Sequence, residues 1–111
     1  MKAGDVLVAA FPGARITKTR PDVVLSTEEY HRHRPDVVLG LLTTKATEPL
    51  TPTDCEIRDW RAAGLHAPSL FRLFVVTLPQ REVRVVGRLS DRDWRSVLDC
   101  IRTGLGCQQT G

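Results

Sequence analysis

The chain has 111 residues, with 16 Lys or Arg against 13 Asp or Glu, a formal net charge of +3. Hydrophobic residues make up 41% and charged residues 26%, which excludes collagen-like, coiled-coil and long disordered chains. An apolar run of six, Val37 to Leu42, falls far short of the about 20 residues that cross a bilayer.

That length predicts a single domain over 1–111. The start, Met1-Lys2-Ala3-Gly4-Asp5, predicts no secretory leader, because an acid interrupts it before any useful apolar stretch. The three cysteines, Cys55, Cys100 and Cys107, are widely spaced and odd in number. No metal or disulfide pattern fits them, so a reducing cytoplasm and no cofactor are predicted.

Asp5–Phe11 is almost wholly apolar after its acid and predicts a central strand, stopped by Pro12-Gly13. Gly13–Thr19 reads as a loop. Arg20-Pro21-Asp22-Val23-Val24-Leu25 then recurs as Arg34-Pro35-Asp36-Val37-Val38-Leu39. In each copy proline fixes φ and the β-branched pair starts a strand. Strands are predicted over Asp22–Ser26 and Asp36–Thr43. Between them Thr27–His31 predicts a short helical turn capped by Ser26 or Thr27.

Lys45–Thr53 reads as loop, and Asp54–Arg58 as a short edge strand. Asp59–Leu65 predicts a turn closed by Gly64. Ser69–Leu78 and Arg84–Leu89 are two further strands. The last alternates, with Val83, Val85 and Gly87 on one side. Ser90 with Asp93 three residues later is a capping signal. Trp94, Val97, Leu98, Ile101 and Leu105 then form one apolar helical stripe, ended by Gly104 and Gly106. The predicted fold is mainly β: a small barrel or sandwich of five to six short strands closed on themselves, with one terminal amphipathic helix packed outside.

Catalytic signatures are few. There is no Gly-rich phosphate loop and no Gly-x-Ser-x-Gly elbow. His31 and His33 are the one close histidine pair, a candidate acid and base for phosphodiester cleavage. Glu28-Glu29 reads as a polar helix face. The stretch Gly13 to Arg20 holds three cations, Arg15, Lys18 and Arg20, and no acid. A cationic loop beside a small barrel can clamp a phosphate backbone. Six aromatics are too few for an evident stacking platform, and Trp60 is the candidate for exposure.

The order of these features resembles the MazF/PemK family of toxin endoribonucleases. The shared pattern is Gly4-Asp5-Val6-Leu7-Val8 with Phe11-Pro12, then Lys18-Thr19-Arg20-Pro21 and Val23-Val24-Leu25-Ser26. Leu41-Leu42-Thr43-Thr44 follows, then Ala63-Gly64-Leu65 with Pro68-Ser69, and finally Gly87-Arg88-Leu89-Ser90-Asp91. The resemblance runs from residue 4 to about 103. It implies an SH3-like barrel with a terminal helix, usually a homodimer, and a small antitoxin partner whose acidic tail covers a basic groove.

It also implies an activity: metal-independent cutting of single-stranded RNA. The ribose 2′-OH attacks the adjacent phosphate, leaving a 2′,3′-cyclic phosphate and a 5′-OH. The family's catalytic arginine and threonine fall on Arg20 and Thr43. Arg15, Lys18, Thr44 and Ser69 become RNA contacts. These residue types suit the reaction. A planar, always-charged guanidinium can grip two non-bridging oxygens as negative charge gathers on them. A threonine hydroxyl can bond the same phosphate without adding charge. Arginine makes a poor general base, since its pKa lies above about 12. The base is therefore open, with His31 or His33 as candidates.

Two other readings compete. One is a toxin-like barrel, or a degenerate homologue, that acts by binding a protein such as gyrase. The other is an unrelated small barrel serving as an interaction module. A competing reading of Arg20 alone is that it simply pairs with Asp22 or another surface acid. The seven residues between Phe11-Pro12 and Arg20-Pro21 make a short loop, so no sequence preference for cleavage carries over.

Overall fold

The computed structural model describes residues 1–9, 20–44 and 50–106. The strands are β1 (Asp5–Ala9), β2 (Pro21–Val24), β3 (Asp36–Thr43), β4 (Asp54–Ile57), β5 (Ser69–Pro79) and β6 (Val83–Arg88). Two helices, α1 (Glu28–His33) and α2 (Asp91–Gly104), complete the fold. The strands form one antiparallel sheet in the order β4-β5-β3-β2-β1-β6.

The middle of the sheet is covered on both faces, which is why its strands are apolar without alternation. Val6, Val23, Leu42, Ile57 and Phe71 face α2 and pack with its Val97 and Cys100. Leu7, Val24, Val37 and Leu39 form a second core on the opposite face, with Leu78 and Val83 against it. All four of these residues are fully buried.

The mainly-β architecture and the terminal helix agree with the sequence reading, but the sheet is not closed. Among the described residues β4 and β6 are its two edges. Their ends are bridged by a turn instead of a ladder, since Ala63 and Gly64 press against Val86 and Gly87 of β6. The expected alternation of β6 also breaks. A bulge lies between the pairs Val6–Gly87 and Leu7–Val85, so Val86 has no counterpart. An extra residue swaps sheet faces, and Gly87 therefore lies on the face opposite Val83 and Val85.

Both predicted caps form. The Thr27 hydroxyl accepts the Tyr30 N–H at 3.2 Å and the Ser90 hydroxyl accepts the Asp93 N–H at 3.3 Å. In α2 the buried spine is Asp93, Val97 and Cys100. The predicted stripe lies beside it: Trp94, Leu98 and Ile101 are half-buried and Leu105 is exposed. The spine shifts because Asp93, an acid, is drawn inside by partners far away in the chain.

Candidate functional site

The β2–β3 register runs toward the two expected catalytic residues. Asp22 pairs with Leu41, Val23 with Gly40 and Val24 with Leu39. Extended by two residues, that register sets Arg20 opposite Thr43. Leu42 enters the core beside Phe71, so its neighbour Thr43 faces the other side of the sheet. Thr43 is half-buried and Arg20 is exposed. Leu70 of β5 lies opposite Thr43, and Glu56 of β4 lies opposite Leu70. Thr43, Leu70 and Glu56 thus form one row across three strands.

That row leads into a cleft of about 580 Å³ lined by Thr44, Glu56, Arg58, Trp60, Ser69 and Leu70, among others. Thr44 is exposed at its edge. Ser69 is buried, and its hydroxyl donates to the Ala67 carbonyl at 2.9 Å, so the local turn already uses its proton. Trp60 is half-buried against the core, and the Arg61 guanidinium lies 4.8 Å from its ring centroid. Arg15 and Lys18 lie outside the described residues.

The Arg58 wall of the cleft is held from a distance. The Asp93 carboxylate accepts the backbone N–H groups of Arg58 at 2.9 Å and Asp59 at 2.8 Å. Asp59 in turn accepts the Ser90 hydroxyl at 2.6 Å and two bonds from Arg92 at 2.7 and 2.6 Å. Hydrogen bonds from Arg92 and Ser90 hold the Asp59 carboxyl down at about 2. Glu56, Arg58 and the Asp93 clamp were not anticipated from sequence. The one available signal was the alternation of Glu56 and Arg58 at the end of a short edge strand.

Asp22 deserves comparison with Asp36, because both occupy the third place of the repeated hexapeptide. Asp36 accepts the Tyr30 hydroxyl at 2.6 Å, and that bond lowers its pKa. Asp22 is pushed up to about 6 by burial, against the opposing pull of the Arg20 charge and a hydrogen bond from the Leu42 N–H. Arg20 therefore does act on Asp22, as one sequence reading expected. Burial outweighs it.

The histidine pair is occupied elsewhere. His31 Nε2 lies 2.7 Å from the Ser26 hydroxyl, and its Nδ1 lies 3.1 Å from the Met1 carbonyl. The Ser26 oxygen also accepts the Val38 N–H at 3.0 Å. A proton on Nδ1, with Nε2 accepting from Ser26, satisfies all three contacts. Val38 is five residues from Thr43 along β3, about 17 Å of strand. His33 bonds Glu29 at 3.1 Å on the exposed face of α1. Among the described residues, no three His, Cys, Asp or Glu side chains gather as a metal site. Cys55 and Cys100, far apart in sequence, share a thiol hydrogen bond, and burial pushes Cys55 up to about 12.

A search of curated proteins finds no match. Among solved structures, the fold is similar to an endoribonuclease in complex with its cognate antitoxin from a mycobacterial species. That match has TM-score 0.74, 20% identity and 99% coverage of both chains. It is similar to the Mycobacterium tuberculosis toxin MazF-mt6, with TM-score 0.68 and 23% identity, covering 89% of this chain and 93% of that one. It is also similar to a MazE–MazF structure from Deinococcus radiodurans, with TM-score 0.70, 17% identity and 97% coverage of both. At these identities the likeness shows the fold. Residues 2–105 match the family described as PemK-like, MazF-like toxin of type II toxin-antitoxin system, and with that match across nearly its whole length the chain belongs to this toxin family.

Proposed function

We propose that the chain is a single toxin domain that cuts single-stranded RNA without a metal, by 2′-OH attack on the adjacent phosphate. The observation that supports this reading is the β2–β3 register, which, extended by two residues, runs to Arg20 opposite Thr43, beside a cleft of mixed polarity. Arg20 grips the non-bridging phosphate oxygens as their charge grows, and Thr43 donates a hydroxyl to the same group. Thr44 and Ser69 line the path of the strand. Arg15 and Lys18 bind its phosphates, and Glu56, Arg58 and Trp60 line the cleft it enters.

The partners are a single-stranded RNA, a second copy of the chain and an antitoxin, with the cytoplasm as the setting. Family membership supports the antitoxin, and two of the similar structures are described as toxin–antitoxin complexes. For the second copy, Phe74 (63% exposed), Val75 and Val76 of β5 and Val85 and Val86 of β6 offer apolar surface. Among the described residues no helix is long and apolar enough to cross a membrane.

The test is digestion of a long single-stranded RNA in EDTA by the wild type, Arg20→Ala and Thr43→Ala, with product ends mapped. Defined cuts bearing cyclic phosphate, reduced about 10²–10³-fold in folded variants, are expected. A folded wild type that makes no cut would instead support a toxin that acts by binding a protein.

A further inference from the structure

A reaction that begins by taking a proton from a ribose hydroxyl needs a base, and the described part of the site offers one. The geometry points to Asp22 as the general base that accepts the 2′-hydroxyl proton, an inference that rests on the endoribonuclease reading. Asp22 lies in β2 two residues after Arg20, which directly precedes the strand, and the Arg20 charge acts on it. It pairs directly with Leu41, two residues before Thr43 on β3. A phosphate held between Arg20 and Thr43 would put its neighbouring ribose beside Asp22.

The surroundings make the acid unusual. Leu7 of β1 and Leu41 of β3 lie opposite Asp22 on either side. Arg72 of β5 stands on the far side of Leu41. The Leu42 N–H bonds the carboxylate and the Arg20 charge acts on it. A carboxylate between two leucines is poorly solvated, which makes it more basic, while one nearby guanidinium keeps it usable near neutrality. The histidines are bound into α1 and remote from Thr43.

The step balances without a co-reactant. The 2′-hydroxyl proton passes to the Asp22 carboxylate as the 2′-oxygen–phosphorus bond forms. The bond from phosphorus to the 5′-oxygen breaks, with its electron pair leaving on that oxygen. The 5′-oxygen takes a proton from water. Asp22 then returns its own proton to solvent.

The experiment measures cleavage of one RNA oligonucleotide from pH 5 to 8.5 by wild type and Asp22→Asn. It is paired with binding of the same oligonucleotide carrying a single 2′-deoxy residue at the cut. The expected wild-type rate rises through about pH 6 and then levels, where the carboxyl is pushed up by burial. Asp22→Asn should cut about 10²-fold or more slowly, without that rise, and bind the uncleavable strand as well as wild type. Equal rates and an unchanged pH profile would overturn the role of Asp22 alone. A loss of binding matching the loss of rate would make Asp22 a positioning residue for Arg20. Should the variant fail to fold, the carboxyl signal of Asp22 followed by NMR must titrate at the pH of half-maximal wild-type rate, and a mismatch overturns the proposal. A wild type that cuts nothing overturns the ribonuclease reading and this inference together.

Discussion

The Ala63 carbonyl lies so close over Gly87 that a Cβ there would collide with its oxygen. The contact is backbone against backbone, so no side-chain rotation can relieve it. Gly87 lets the 59–64 turn seat against the β6 edge of the sheet. Gly87→Ala should lower stability by about 1–3 kcal/mol, the usual range for overpacking, read as a lower urea midpoint.

Asp93 is 1% exposed and accepts two backbone N–H groups. Asp93→Ala takes the acceptor from both donors and leaves a void where the carboxylate was, which should cost about 1–3 kcal/mol. Asp93→Asn keeps one accepting oxygen and should cost less. Urea titrations of the two variants check the order.

Two acids should give opposite pH dependences of stability. Asp22 in the folded chain titrates at about 6, above its ordinary 3.8. It therefore destabilises the fold when ionised, and that cost fades as pH falls from above 6 toward 3.8. Asp59 titrates at about 2, below its ordinary 3.8. Its contribution is complete above 3.8 and disappears as pH falls through 2. Urea midpoints measured from pH 8 to 2 should rise and then fall. Asp22→Asn should flatten the rise, and Asp59→Asn should remove part of the fall.

Arg20→Lys keeps the charge and removes the fork. A lysine ammonium cannot hold two phosphate oxygens in the fixed geometry of a guanidinium. Cleavage should drop at least about tenfold, with the cut sites unchanged. Single-turnover rates on a defined RNA will measure it.

Thiol chemistry at the α2–β4 contact should be slow. Burial pushes both the Cys55 and Cys100 thiols up, Cys55 to about 12, so almost no thiolate is present at pH 8. Alkylation followed by peptide mapping should label these two only when urea is added. Fast labelling of Cys55 in the folded chain would contradict the packing described for it.

Local signals in the sequence were reliable wherever the cause was local. The bounds of β3 follow from its apolar run, and the caps Thr27 and Ser90 follow from side chains that reach three residues onward. What escaped depends on residues distant in the chain. Asp93 read as a partner for its own helix N-terminus, yet its carboxylate bonds backbone 34 and 35 residues away. Asp22 read as a polar strand start, and only the flanking Leu7 and Leu41 make it a half-buried acid. The bulge at Val86 adds one residue between Val85 and Gly87, and the alternation of the strand does not mark it.

The Asp93 clamp also sets a time order. A ribosome makes residues 54–60 well before residue 93. Until α2 has emerged, the backbone of Arg58 and Asp59 lacks its acceptor and the cleft lacks a fixed wall. The cleft is therefore finished by α2 only after the β4 and β5 residues that line it have been made.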